Sequence, residues 1–338
     1  MEIARAGNAR EAVELLDGLP GEAAVAGEAW WELGILLFDT RHYAEAWECF
    51  RRLSEVRPHD GKVRVYQGLC EFERSDFERA LIHIQQGRML GLGDSPVLLR
   101  RARLVAGLLL NRMGEFQAAF ESLEPLASAG DAEDVLVMAL GLSALHRAYL
   151  PAETPLDLHA QVRLAGEAIR AVARHEFARA DTLFQQLVER YSRDPGVHYA
   201  YGVFLMRDRK AQGLREFQTE LEVNPWHVPA LLQLAFHHTE NGDAGTALGF
   251  AHRAVELEPG SYQARYALGW ALLESGDLSG SLAELEKAVG IEPGIPELRF
   301  TLARAYQKAG RKEDAARERA AFQRLSQLKQ QVKSRVNP

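Results

Sequence analysis

Between Glu28 and Leu37 the apolar positions Trp30, Leu33, Gly34 and Leu37 fall within about 100° of one another on a helix turning about 100° per residue, so they form one packing stripe. A short polar turn follows. A second amphipathic stretch then carries Ala46 and Phe50, and Pro58 closes it because proline cannot continue a helix. The pattern predicts an antiparallel pair: a helix A, a tight turn and a helix B. The same frame recurs about every 34 residues. Arg64, Gly68, Phe77, Ala80 and Ile84 mark a second unit, and Ala106, Gly107, Gly114, Phe116, Ala119 and Leu123 a third. Leu164, Ala168, Phe177, Ala180, Phe184 and Leu187 mark the next, followed by Tyr201, Gly202, Phe217 and Pro225, one residue short. Leu231, Leu234, Ala235, Gly242, Ala247, Ala254 and Pro259 form another, then Leu268, Gly269, Gly276, Asp277, Leu285, Ala288 and Pro293, and finally Leu302, Ala303, Tyr306, Gly310 and Ala315.

Each recurring residue has a mechanical reason. A Gly or Ala on the stripe lets a neighbouring helix approach, and Gly242-Asp243 and Gly276-Asp277 supply a left-handed cap and the turn into helix B. The small residue early in helix B marks the tightest crossing of the pair. No unit buries its stripe alone, so the units must stack. Trp30, Leu33, Gly34, Ala46, Phe50 and Pro58 match the signature of the tetratricopeptide repeat, with Leu37 where that family has Tyr. The chain resembles this family. The resemblance implies an all-α fold, a right-handed superhelical solenoid of antiparallel helix pairs whose A helices line a concave inner face, and a role in holding other proteins.

The frame divides the chain into a half repeat at residues 1–26, a block of about three repeats at 27–131, an atypical helix and break at 132–160, a block of about five repeats at 161–329 and a tail at 330–338. Residues 7–20 read as a helix B with almost no helix A before it. Ala132 to Tyr149 reads as a helix A, but Leu150-Pro151-Ala152-Glu153-Thr154-Pro155 follows where helix B belongs. That segment is the expected break, and residues 161–310 are expected to open separately from residues 27–130. Pro125 falls inside a helix B, which it should shorten or kink.

Composition narrows the function. The 338 residues are 47% hydrophobic and 26% charged, as in an ordered soluble protein. A net charge of -7 opposes binding to nucleic-acid phosphates. Residues 311–335 are locally basic, a solvated terminal helix or a docking segment. Arg100, Arg101 and Arg103 interrupt the greasiest stretch, Leu98 to Leu110, so no spanning helix and no membrane partner are expected. The first residues, Met1 to Gly7, lack a secretory pattern, which points to the cytoplasm, or to the periplasm or outside if a signal segment has been removed. Cys49 and Cys70 read as small buried hydrophobes.

The phosphate cradle, nucleophile elbow, HExxH and CxxC patterns are absent from the sequence. His175-Glu176 lacks a second histidine, since residue 179 is Arg, and the side chains of His237 and His238 diverge on a helix. Glu284 and Glu286 read as a solvated face. No catalytic residue, metal ligand or cofactor is therefore assigned, and the expectation is a non-catalytic scaffold for a protein or peptide partner, with self-association open. The alternative is the repeat arm of a larger enzyme, glycosyltransferase-like, or of a secretion or assembly machine.

The resemblance turns two further helix A positions toward the concave face, where solvation alone would favour polar residues. They read Trp31 and Ile35, Val65 and Leu69, Tyr199, Leu232 and Phe236, Tyr266 and Trp270, and Phe300 with Arg304. Exposed apolar patches mark contacts, so Trp31, Ile35, Tyr199, Phe236, Tyr266, Trp270, Phe300 and Arg304 are the candidate groove. Glu240, Gln263, Glu274, Gln307 and Lys308 would form its polar rim. Chaperone-tail binders of this family clamp a terminal carboxylate with Lys, Asn and Arg at such positions. The apolar residues here favour an apolar or mixed segment instead.

Overall fold

The computed structural model describes residues 8–17 and 23–336, which hold eighteen α-helices, two 3-10 turns and no strand. The secretory-pattern expectation at Met1 to Gly7, and Leu19-Pro20 at the end of the half repeat, lie outside the described residues. Among those described, no helix is long and apolar enough to cross a membrane. Two compact units divide the chain, residues up to Glu189 and residues from Arg190 onward.

The first unit opens with α1 (Ala9–Asp17). The pairs α2 (Ala23–Asp39) with α3 (Tyr43–Val56), α4 (Gly61–Glu73) with α5 (Phe77–Leu90), and α6 (Pro96–Arg112) with α7 (Phe116–Ser128) follow. Each pair closes as its glycine dictates. A Cβ on Gly34 would stand 2.9 Å from the Phe50 ring, and one on Gly107 would stand 2.4 Å from the Leu123 side chain. Ala46, Ala80 and Ala119 at the crossings are fully buried, with Phe50, Leu53, Ile84 and Leu123 around them. The turns out of the A helices take the left-handed conformation, held by Gly114 but also by Arg41 and Ser75.

Helix α7 continues to Ser128 past Pro125, so the proline does not shorten it. Pro125 lacks an N–H for the preceding turn, but its own carbonyl accepts from Ala129 N at 3.2 Å.

The segment read as a missing helix B has a defined structure. α8 (Asp134–Ala144) ends in a left-handed turn at His146, and the chain passes through 3-10 turns at Pro151–Glu153 and Leu156–Leu158 into α9 (His159–Ala173). The connector is pinned by Thr154 Oγ1 donating to the Leu150 carbonyl at 3.1 Å and by the Glu153 carboxylate accepting from Leu150 N at 3.1 Å. α9 then lies directly against α8. A Cβ on Gly141 would stand 1.9 Å from the Val162 carbonyl oxygen, and one on Gly166 would stand 1.9 Å from that of Val137. Helix α8 thus has its antiparallel partner, delivered through an irregular connector instead of a tight turn. α10 (Phe177–Tyr191) completes the helices that begin in this unit.

The second unit pairs α11 (Val197–Leu205) with α12 (Lys210–Val223), α13 (Val228–Glu240) with α14 (Ala244–Leu257), α15 (Tyr262–Ser275) with α16 (Leu278–Ile291), and α17 (Pro296–Lys308) with α18 (Lys312–Val336). Gly242, Gly276 and Gly310 make the left-handed turns, and the Asp243 and Asp277 side chains cap the following helices by accepting from Thr246 N and Gly280 N. Gly202 meets Phe217 and Gly269 meets Leu285, as Gly34 meets Phe50 in the first unit. Helix α18 runs 25 residues where α16 runs 14, so residues 330–336, set apart as a tail in the sequence, continue the last helix.

Candidate partner-binding surface

Within the second unit, consecutive A helices bring Phe236, Tyr266 and Trp270 together. The Phe236 ring centroid lies 5.7 Å from that of Tyr266 and 6.2 Å from that of Trp270, and the Tyr266 and Trp270 rings stack at 5.9 Å. Each ring is partly exposed. The arrangement follows from the frame: residues four apart on α15 share a face, and α13 presents Phe236 beside them. Tyr266 Oη lies 3.2 Å from Thr301 Oγ1 on α17, and burial pushes the Tyr266 hydroxyl pKa up, so it stays neutral.

A charged rim adjoins the rings. The Glu274 carboxylate accepts from Trp270 Nε1 at 3.3 Å and from Arg304 Nη2 at 2.8 Å, and Lys308 Nζ lies 3.8 Å from it. Trp270 and Arg304 are therefore tied through one acceptor, which orients the indole. Glu240 meets Lys210 Nζ at 3.4 Å, while Gln263 stands exposed.

Phe300 does not join this cluster. It is 49% exposed and lies 5.5 Å from the Phe322 ring of α18. Phe300, Ala303, Arg304, Gln307, Phe322 and Gln323 line a cavity of about 410 Å³ between α17 and α18. Phe322 is hidden by the basic charge of the last helix, and its one signal in the sequence is an apolar side chain among basic residues.

The other candidates pack more fully. Tyr199 sits 5.6 Å from Phe217 and 4.7 Å from His227, and burial pushes its hydroxyl pKa up to about 12. In the first unit Trp31 meets Phe50 edge-on at 6.0 Å and Tyr66 at 5.6 Å, and Ile35 packs against the same core, both keeping some exposure. Val65 and Leu69 are buried outright, so their apolar character belongs to the core rather than to a groove. His238 Nδ1 lies 3.0 Å from Asp243 Oδ2, and the His237 ring neighbours the Asn241 amide. Both cysteines are buried, which pushes the Cys49 thiol pKa up to about 12 and raises that of Cys70 as well.

Comparison with known proteins adds three findings. Residues 162–329 match the profile of the middle TPR-like domain of cilia and flagella-associated protein 70, and residues 32–88 match a tetratricopeptide-repeat profile. Among solved structures, a MamA double mutant (RS-1 ArsTM) aligns at 18% identity and a TM-score of 0.45, covering 50% of this chain and 96% of that one. MamA from Desulfovibrio magneticus RS-1, residue 41 to the end, aligns at 18% identity and a TM-score of 0.45, covering 49% of this chain and 95% of that one. No curated protein matches the chain significantly in sequence.

Proposed function

We propose, from the premise that the chain belongs to the tetratricopeptide-repeat family, that it is a non-catalytic scaffold whose second unit holds an apolar or mixed peptide segment across Phe236, Tyr266 and Trp270. One observation carries this reading. Three aromatic rings on neighbouring A helices meet one another yet remain partly open to solvent beside a rim of Glu240, Glu274, Arg304 and Lys308. A core would close over such rings, whereas a contact surface leaves them available with charges around them.

Burying an aromatic side chain removes about 150–250 Å² from water. Phe236 and Trp270 are only partly open, so at about 25 cal/mol per Å² completing their burial supplies at most about 3–4 kcal/mol, and tighter binding than about millimolar draws on further contacts along the charged rim. The test is selection of a displayed random-peptide library on the whole chain, followed by binding of the winners to Phe236→Ala and Trp270→Ala. Winners should be rich in large apolar residues and should lose at least tenfold in affinity to each variant, while both variants keep a melting midpoint well above that of Leu268→Ala. Leu268 is 4% exposed on the packing stripe, so its truncation should cost about 2–5 kcal/mol of stability. Groove variants that melt as early as Leu268→Ala, or that bind every winner unchanged, would show that the rings only pack.

A further inference from the structure

The helix pairs share a second pairing rule, carried by a fixed spacing between helix A and helix B. Arg265 Nη1 donates to Glu284 Oε2 at 2.7 Å and Arg299 Nη1 to Glu318 Oε2 at 2.8 Å, each across a separation of 19 residues. In the pair that is one residue short the separation is 18, and His198 Nδ1 meets Glu216 Oε2 at 2.6 Å. Where helix A has an apolar residue at this place, helix B has one too: Trp30 with Cys49, Leu164 with Leu183, Leu231 with Phe250. A cation partly buried against the partner helix is offset by a carboxylate, and an apolar residue is left with an apolar one, as burial of charge requires.

Arg103 on α6 breaks the rule. The residue 19 further on is Ser122, which is 4% exposed and whose Oγ donates to the Arg103 carbonyl at 3.1 Å. A cation from the preceding pair comes to this hydroxyl, since Arg88 Nη1 on α5 donates to Ser122 Oγ at 3.3 Å. Both arginines are partly buried. Neither makes an ion pair among the described residues, whereas Arg100 on the same helix meets Asp131 and Glu133. Burial and the charge of Arg103 lower the pKa of Arg88. Arg64 is the other cation without a helix B carboxylate, but it donates to Gln67 Oε1 at 3.1 Å, and the residue opposite it, His83, is engaged by Glu71 at 2.7 Å.

We propose that Arg88 and Arg103 form an anion site that takes an aspartate or glutamate carboxylate from a partner polypeptide, in the place where a helix B glutamate serves Arg265 and Arg299. The carboxylate is the indicated oxyanion because the same cation, at the same offset, is answered by glutamate elsewhere in this chain. Arg88 brings its guanidinium to the Ser122 hydroxyl, and Arg103 stands in the frame where Arg265 and Arg299 meet glutamate, so a carboxylate at Ser122 would have two cations to answer with its two acceptor oxygens. The site lies in the first unit and does not rest on the aromatic cluster of the second.

The test follows the Nε–H resonances of Arg88 and Arg103 in the full chain, assigned with Arg88→Lys and Arg103→Lys, during titration with acetyl-glutamate amide at constant ionic strength. Both resonances should shift and saturate at millimolar concentrations while that of Arg100 stays still. Ser122→Glu, which supplies the carboxylate from within, should abolish the shifts and raise the melting midpoint by a few degrees, and Ser122→Gln should do neither. Resonances that do not move in the wild-type chain would overturn the site whatever the variants do. Equal behaviour of Ser122→Glu and Ser122→Gln, or saturation by methyl phosphate but not by the glutamate probe, would overturn the assignment to a carboxylate.

Discussion

Adding one methyl group at Gly141 tests whether α8 and α9 are a true helix pair. The Cβ of an alanine there would stand 1.9 Å from the Val162 carbonyl oxygen and 2.8 Å from its carbon, both backbone atoms of the facing helix. A carbon and an oxygen rest about 3.3–3.6 Å apart even in a close Cα–H contact, so the helices must separate by about 1.5 Å. Backbone atoms cannot rotate aside as a side chain does. Separation loosens the reciprocal notch at Gly166 as well, and with it the buried contacts of Leu136, Leu140 and Val162. Overpacking of a core typically costs about 1–3 kcal/mol. With backbone on both sides of the clash, Gly141→Ala should fall at or above the top of that range, about 3 kcal/mol.

A matched control removes the effect of helix propensity. Gly249, inside α14, has no atom within 4 Å of where its Cβ would be, so Gly249→Ala should stabilise by about 0.5–1 kcal/mol through backbone entropy alone. Urea unfolding followed by helical circular dichroism, with hydrogen exchange to locate the loss, compares the two. Gly141→Ala should lose amide protection in α8 and α9 first. Equal midpoints for Gly141→Ala and Gly249→Ala would refute the close crossing and restore the reading of α8 as a helix without a partner.

Two smaller predictions concern turns and protons. Ser75 is exposed and holds φ at 62°, where an L-residue is strained by about 1–2 kcal/mol, so Ser75→Gly should gain about 0.5–1 kcal/mol after the entropy of glycine is subtracted, read as a higher urea midpoint. The His198 ring is pulled two ways: burial alone would lower its pKa, but its bond to Glu216, the Glu216 charge, the Ser192 carbonyl and Glu220 together raise it above 6.5. Its contribution is therefore full below about pH 6.5 and is lost as pH rises through the folded pKa. The stability gap between wild type and His198→Gln should shrink from pH 6 to pH 9, and a gap that widens would invert the assignment.

Much of the fold was legible because the repeat names the same contact many times. Gly34, Gly107, Gly202 and Gly269 sit at one place in the frame, and each receives a helix B side chain where the spacing requires it. The turns were legible only where they are glycine. Arg41, Ser75, His146 and His175 adopt the same left-handed geometry without its signature residue, because tertiary packing forces the turn on whatever residue occupies it. The pairing of α8 with α9 was hidden for a related reason: a connector containing Pro151 and Pro155 replaces the short turn that makes a helix pair visible as a period.

Surface chemistry was harder to see because a letter does not say what covers it. Val65 and Leu69 hold the same places in the frame as Tyr266 and Trp270, yet the first two are sealed in the core and the last two stay partly open. The residues beside them, not their own apolarity, decide the matter, and those neighbours come from other helices. Ser122 shows the converse. As a single serine in an amphipathic helix it carries no signal, and only the ion pairs of Arg265 and Arg299 reveal that a carboxylate is missing there. In a repeat protein the sequence thus contains its own controls: a departure at one unit gains meaning once the structure shows which contact the other units make at that place.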